Sequence, residues 1–276
     1  MTVLFALLAL GGDPAMPGMA AQVASSIASS HVSMISPAGP STALPVGESA
    51  NFVVRTHPSG PDLAEFVLRC EKVRTDLQSN LFGTADAEPW APKCEIVLHR
   101  TRAQYLQAVG ATGSQTSGSA SVGLTNGLVT KRRIDLFAGA DTATFSALQH
   151  ELVHVLFADR FPMQAPPKWA EEGLALLSDS EEKQNRHRVD FRHAKQTRTT
   201  IPLETLLSCT GYPPGTQRAA FYGQSHAIVE HLVRRESPKR FIEFVQLAME
   251  TNPNSALNAI YGINGASGLA ERLRAE

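Results

Sequence analysis

No sign of charge dominates this chain: 25 Lys and Arg stand against 26 Asp and Glu, a formal net charge of −1. Phosphate binding needs a basic surplus, so a general nucleic-acid binder is excluded. No apolar run reaches the roughly 18–20 residues that span a bilayer, which excludes a polytopic membrane protein. There are only three cysteines, none in a C-x-x-C spacing. That is too few for a disulfide scaffold and the wrong pattern for structural zinc. Aromatic residues are scarce at 7%. What remains is a globular composition of 276 residues, 43% hydrophobic and 18% charged. It rules out wholesale disorder and coiled coil, and it suffices for one large domain or two small ones.

The first residues carry a short apolar block, VLFALLAL from Val3 to Leu10, followed by small residues through Gly18, Met19, Ala20 and Ala21. This pattern resembles a secretory h-region with a cleavage site, although no Lys or Arg precedes Arg55. It points to export: secreted, periplasmic or in the cell envelope. Residues 22–47 are rich in Ser, Ala and Pro without a sustained period and read as linker. The domain proper is expected over 48–276. Cys70 ends an apolar helical stretch and Cys94 opens a strand-like run. They are either a disulfide, worth ~3 kcal/mol in the chain-entropy model, or two buried thiols. Export favours the bridge. Cys209 is left over, a buried and inert thiol on this reading.

From Asn51 the chain becomes orderly. NFVVRT reads as a strand. Pro61 opens a helix whose apolar positions Leu63, Phe66, Val67, Val73 and Leu77 share a face. Glu95–His99 reads as a strand and Ala103–Val109 as a short helix. Residues 110–121 read as a flexible glycine/serine loop. Val122–Leu124 and Leu128–Phe137 flank Asn126-Gly127, a hairpin signal. Helices follow. Asp141 is placed to cap one over 142–158, Lys168–Leu177 is another, Ala219–Arg235 a third, and Pro238 opens a fourth. Ala256–Ile260 and Ser267–Leu273 finish the chain. The fold class is α+β, a small sheet followed by a mostly helical half.

The helix over 142–158 contains His150-Glu151-Leu152-Val153-His154, an H-E-x-x-H. Four residues along a helix rotate ~400°, so the two histidines lie on one face about a turn apart. Two imidazoles so placed can bind one Zn²⁺. Glu151, beside the metal, can take a proton from a water that the ion acidifies. Leu148, Leu152, Val155 and Leu156 bury the helix. Catalytic zinc commonly has a third protein ligand and a fourth position for water. Pro167-Lys168-Trp169-Ala170-Glu171-Glu172-Gly173-Leu174-Ala175 offers two carboxylates. Helix neighbours diverge by ~100°, so a rigid site uses only one of them.

HELVH followed by P-x-W-x-x-E-G-L-A resembles the gluzincin branch of the zincin metallopeptidases, and in particular the bacterial peptidase-MA-like domains. The motifs cover about 25 residues, and the layout extends the likeness loosely over 48–276. The resemblance implies a zincin-like α+β fold, a small mixed sheet with an edge hairpin before the active-site helix, and a zinc-dependent peptidase acting on a peptide or protein. It makes Glu172, 18 residues after His154, the third zinc ligand beside His150 and His154, with Glu171 its solvated neighbour and Glu151 the general base. In gluzincins a strand at the sheet edge pairs with extended substrate, and Leu128–Phe137 resembles that strand. The family often carries a Tyr-containing segment where this chain has Phe221-Tyr222-Gly223-Gln224-Ser225-His226. Tyr222 is thereby a candidate catalytic donor to the oxyanion, and His226 a weaker one; each is also readable as helix packing. The metzincin branch is excluded because VLFADRF after His154 holds neither Gly nor a third His.

Lys183–Arg198, with six Lys or Arg and two His against one Asp, reads as a solvated loop or an anion-binding segment. A carboxylate supporting a ligating histidine is unassigned. The position one turn after Glu172 is Leu176, and Asp179 is a poor substitute. The rival to an enzyme is a non-catalytic zinc-bound module that binds a peptide or cell-envelope partner. Retention of Glu151 argues against it, since a structural site needs no base.

Overall fold

The computed structural model describes residues 33–35, 44–84, 88–138 and 141–275. The apolar block at 3–10 lies outside the described residues. The chain divides into two compact units, residues up to 76 with 86–155, and residues 77–85 with 156–276.

The first unit is built on a mixed sheet. Its strands are β1 (Ser33–Ile35), β2 (Val46–Glu48), β3 (Phe52–Arg55), β4 (Cys94–His99), β5 (Gly118–Thr125) and β6 (Leu128–Phe137), in the order β1-β2-β3-β4-β6-β5. β3 pairs with β4, and β4 with β6, in parallel; the other pairs are antiparallel. Within the stretch read as linker, β1 and β2 thus join the sheet. Three residues each and a glycine in β2 gave them no alternation to detect. Phe52 and Val54 of β3, Ile96 and Leu98 of β4, and Ile134 and Leu136 of β6 form the buried face.

Helix α1 (Leu63–Phe82) links β3 to β4. Asp62, not Pro61, starts it, its Oδ1 accepting from Glu65 N at 2.9 Å. Leu63, Phe66, Val67, Cys70 and Val73 are buried. Cys70 and Cys94 are both buried and unbridged. The disulfide expected from the sequence is therefore replaced by two packed thiols. Burial, and then the adjacent Cys94, push the Cys70 thiol well above its usual pKa.

The short helix α2 (Arg102–Val109) is closed at its start by Thr101 in a capping box with Gln104. The supposed loop after it is ordered: residues Ala111–Gln115 make a 3₁₀ turn, and β5 begins at Gly118, four residues earlier than its apolar run suggests. The β5–β6 hairpin turns at Asn126 (φ 51°) and Gly127 (φ 76°), the left-handed pair that a type I′ turn needs. The sheet order corrects the role given to Leu128–Phe137. That strand, β6, is interior, and β5 is the edge. Leu128 at the hairpin tip is 70% exposed.

Helix α3 (Asp141–Arg160) follows β6. The Asp141 side chain lies outside the described residues. Phe145 stacks on Phe66 of α1 with centroids 5.2 Å apart. From His150 to Ala158 every residue of α3 is buried, the mark of a core helix.

The second unit is helical: α4 (Lys168–Leu177), α5 (Glu181–Thr197), α6 (Leu203–Leu207), α7 (Arg218–Arg235), α8 (Pro238–Glu250), α9 (Pro253–Tyr261) and α10 (Gly265–Ala275). Helix α7 packs closely on both α4 and α5. A Cβ on Gly173 of α4 would sit 2.5 Å from Ser225 O and 2.3 Å from Val229 Cγ2. One on Gly223 of α7 would sit 2.6 Å from Phe191 N. Trp169 is buried against Phe241 and Phe244, and its Nε1–H donates to Leu207 O at 3.1 Å. The Trp and Gly of the W-x-x-E-G run are thus explained by packing. Lys183–Arg198 is helix, not loop. Ser180 caps α5, Glu181 and Glu182 favour its positive end, and Arg198 ends it in the left-handed region (φ 56°). Its buried face includes Lys183 and His187, polar residues that break the apolar period.

Candidate metal centre

His150 and His154 stand one turn apart on α3, with ring centroids 5.2 Å apart. They are 1% and 2% exposed, and Glu172 is fully buried. One ligand atom from each of the three lies within 4.8 Å of the others. Among the described residues, no other group of three or more His, Cys, Asp or Glu converges in this way. The donor set of two imidazoles and one carboxylate suits a borderline divalent ion such as zinc, and three protein ligands leave a position for water. The residues present therefore fit a metal ion.

The two neighbouring glutamates of α4 differ in their partners. Glu171 is not solvated. It is buried, with its Oε2 2.6 Å from the ammonium of Lys168, itself buried. A carboxylate alone would be costly there, and Lys168 offsets its charge. Glu172 instead accepts a hydrogen bond at Oε1 from the hydroxyl of Tyr212. Burial, then the charge of Glu172, hold that hydroxyl well above its usual pKa, so it stays a donor. Such support fixes the orientation of a ligating carboxylate. Tyr212 carries no signal in the sequence, lying in an irregular stretch between α6 and α7.

Glu151 is fully buried on α3. Its carboxylate lies against the backbone of Gly118 at the start of β5. Neither Gly118 nor its neighbour Tyr105 of α2 was singled out by pattern, because each sits in a run that reads as ordinary loop or helix.

Tyr222 is buried on α7 with its ring edge-on to Phe221 (5.4 Å) and 6.1 Å from His187. Tyr212 packs edge-on against the same Phe221 ring, with centroids 5.9 Å apart. Tyr222 is thus near the residue that holds Glu172. His226 belongs to the packing of α7 on α5. Its ring is 6.3 Å from that of His187, its Nε2 3.5 Å from Gln184 Oε1 and its Nδ1 3.8 Å from Glu230 Oε2. Burial lowers its pKa to about 4, against the pull of Glu230. Asp179 is buried and pairs with Lys183 at 3.2 Å. Of the basic segment, Arg186 pairs with Glu182 and Arg188 with Glu230. No helix among the described residues is long and apolar enough to cross a membrane.

Compared with known proteins, the sequence matches no family model and no curated protein. The likeness to gluzincins accordingly stands on HELVH and P-x-W-x-x-E-G-L-A alone.

Proposed function

We propose that this chain is an exported, zinc-dependent peptidase with a zincin-like catalytic fold of the gluzincin type. One observation carries the reading: two histidines one turn apart on a buried helix converge with a carboxylate of another helix, and a buried glutamate follows the first histidine. His150, His154 and Glu172 would hold the ion. Bound there, zinc would supply Lewis-acid polarisation of a scissile carbonyl and would lower the pKa of the attacking water. Glu151 takes the proton from that water and returns it to the leaving amine. Tyr222 is assigned the donation of a hydrogen bond to the developing oxyanion. An extended peptide substrate is assigned to the edge strand β5, whose outward backbone groups beyond Gly118 can pair with it.

The test is zinc analysis of the reconstituted protein together with digestion of a broad peptide library. About one zinc per chain, and cleavage that stops on chelation and returns with zinc, are expected. Absence of zinc after reconstitution removes the reading. Bound zinc without any cleavage favours the peptide- or envelope-binding module instead.

A further inference from the structure

Gly118 is a glycine for lack of room, not for backbone freedom: its φ is not positive. A Cβ built on it would lie 2.7 Å from Glu151 Oε1, 2.8 Å from its Cγ and 3.1 Å from its Cδ. All three are atoms of the one glutamate, so the space a side chain would need at 118 is filled by the base.

The strand cannot yield instead. Phe137 N–H donates to Ser117 O at 2.9 Å, so the Ser117 carbonyl faces β6. The next carbonyl, that of Gly118, faces the other way. There the hydroxyl of Tyr105 donates to it at 2.7 Å. Tyr105 is fully buried and also bonds the Thr116 hydroxyl. Arg102, one turn earlier on α2, donates to the carbonyls of Thr116 and Gly113. Helix α2 thus grips the chain from 113 to 118 at several points. Between a pinned backbone and a four-bond side chain, the side chain moves.

We propose that Gly118 and Tyr105 are positioning residues for Glu151. Gly118 leaves the one space in which the carboxylate sits, and Tyr105 holds the strand that defines it. This rests on the peptidase reading for its catalytic half. Misplacement of a reacting group by about 1 Å can cost ~10²-fold, and the effect should fall on kcat.

The experiment is a double-mutant cycle on the full-length, zinc-loaded protein. Gly118→Ala is expected to lower kcat on the order of 10–10²-fold with KM and zinc content unchanged. In a Glu151→Gln background the same change should cost nothing further, because the base it displaces is gone. Tyr105→Phe should lower kcat several-fold with zinc retained. Wild-type kcat in Gly118→Ala, or an equal loss in both backgrounds, overturns the proposal. A parallel melting cycle needs no substrate. Gly118→Ala should lower Tm by about 2–4 °C, and should raise or leave it unchanged when Glu151 is already alanine. The same loss in both would assign the space at 118 to something other than Glu151. If wild type binds zinc but cuts no peptide, the peptidase reading fails and the catalytic half of the proposal falls with it, while the melting cycle still decides the contact.

Discussion

The hydroxyl of Tyr212 donates to Glu172 Oε1, while the adjacent carboxylate, Glu171, is held by Lys168 at 2.6 Å. Two neighbouring glutamates on one helix are thereby separated in role. Removing the Tyr212 hydroxyl in Tyr212→Phe should weaken zinc binding by about 10–100-fold, the usual cost of losing a group that supports a ligand. Glu172→Gln should lose most of the zinc. Glu171→Gln should keep it but destabilise the fold by up to about 3–5 kcal/mol, because a buried ion pair of 2.6 Å is broken. Competition with a chelator reads the first two, and urea unfolding of the metal-free protein the third. Zinc loss in Glu171→Gln but not in Glu172→Gln would exchange the two assignments.

Gly173 separates α4 from α7 by less than a methyl group. Gly173→Ala would place a carbon 2.5 Å from Ser225 O and 2.3 Å from Val229 Cγ2. Backbone and core must shift, at a cost of about 1–3 kcal/mol or more. Because Glu172 precedes it, zinc affinity should fall as well. Urea midpoints and chelator competition check both; a variant with unchanged midpoint would mean the helices have room to spare.

His226 makes stability depend on pH. In the unfolded chain a histidine takes its proton at about pH 6.5. In the fold, burial holds His226 neutral down to about 4. As pH falls from 6.5 towards 4, the unfolded state binds a proton that the folded state refuses, so stability drops. Its contribution is complete above about pH 6.5 and lost progressively below. Unfolding of metal-free protein across this range should show a steeper decline in wild type than in His226→Gln. Parallel curves would show that His226 titrates normally.

The cysteines give a count. Thiol titration of denatured, unreduced protein should find three free thiols, since Cys70, Cys94 and Cys209 are unbridged. In the native protein Cys209, half-buried rather than buried and inert as the sequence suggests, should react first, and Cys70 should be slow because burial disfavours its thiolate. A single thiol in the denatured protein would mean that Cys70 and Cys94 are joined.

Legibility in the sequence followed local signals. Helix α4 and strand β6 have the bounds their patterns suggested, 168–177 and 128–137. The Asn126-Gly127 turn was legible because few other residue pairs take two left-handed positions. His150 and His154 were readable from helical spacing, Glu172 was preferred to Glu171 only through the resemblance to gluzincins, and the structure brings the three together. What depends on tertiary neighbours was not. Helix α5 was hidden by buried Lys183 and His187 in positions an apolar period would fill. β5 rather than β6 is the edge because β4 occupies the far side of β6, a pairing that no local pattern encodes. Tyr212 and Gly118 acquire meaning only from the residues they touch, Glu172 and Glu151.

The most direct measurement compares wild type with Glu151→Gln at matched zinc occupancy on the same peptide library. The substitution keeps the size of the side chain and removes no zinc ligand, so fold and metal content should be unchanged. Hydrolysis should fall by about 10²–10⁴-fold, the usual cost of losing a general base. Equal hydrolysis by the two proteins would contradict the assignment of Glu151 as base, and with it the peptidase mechanism at this centre.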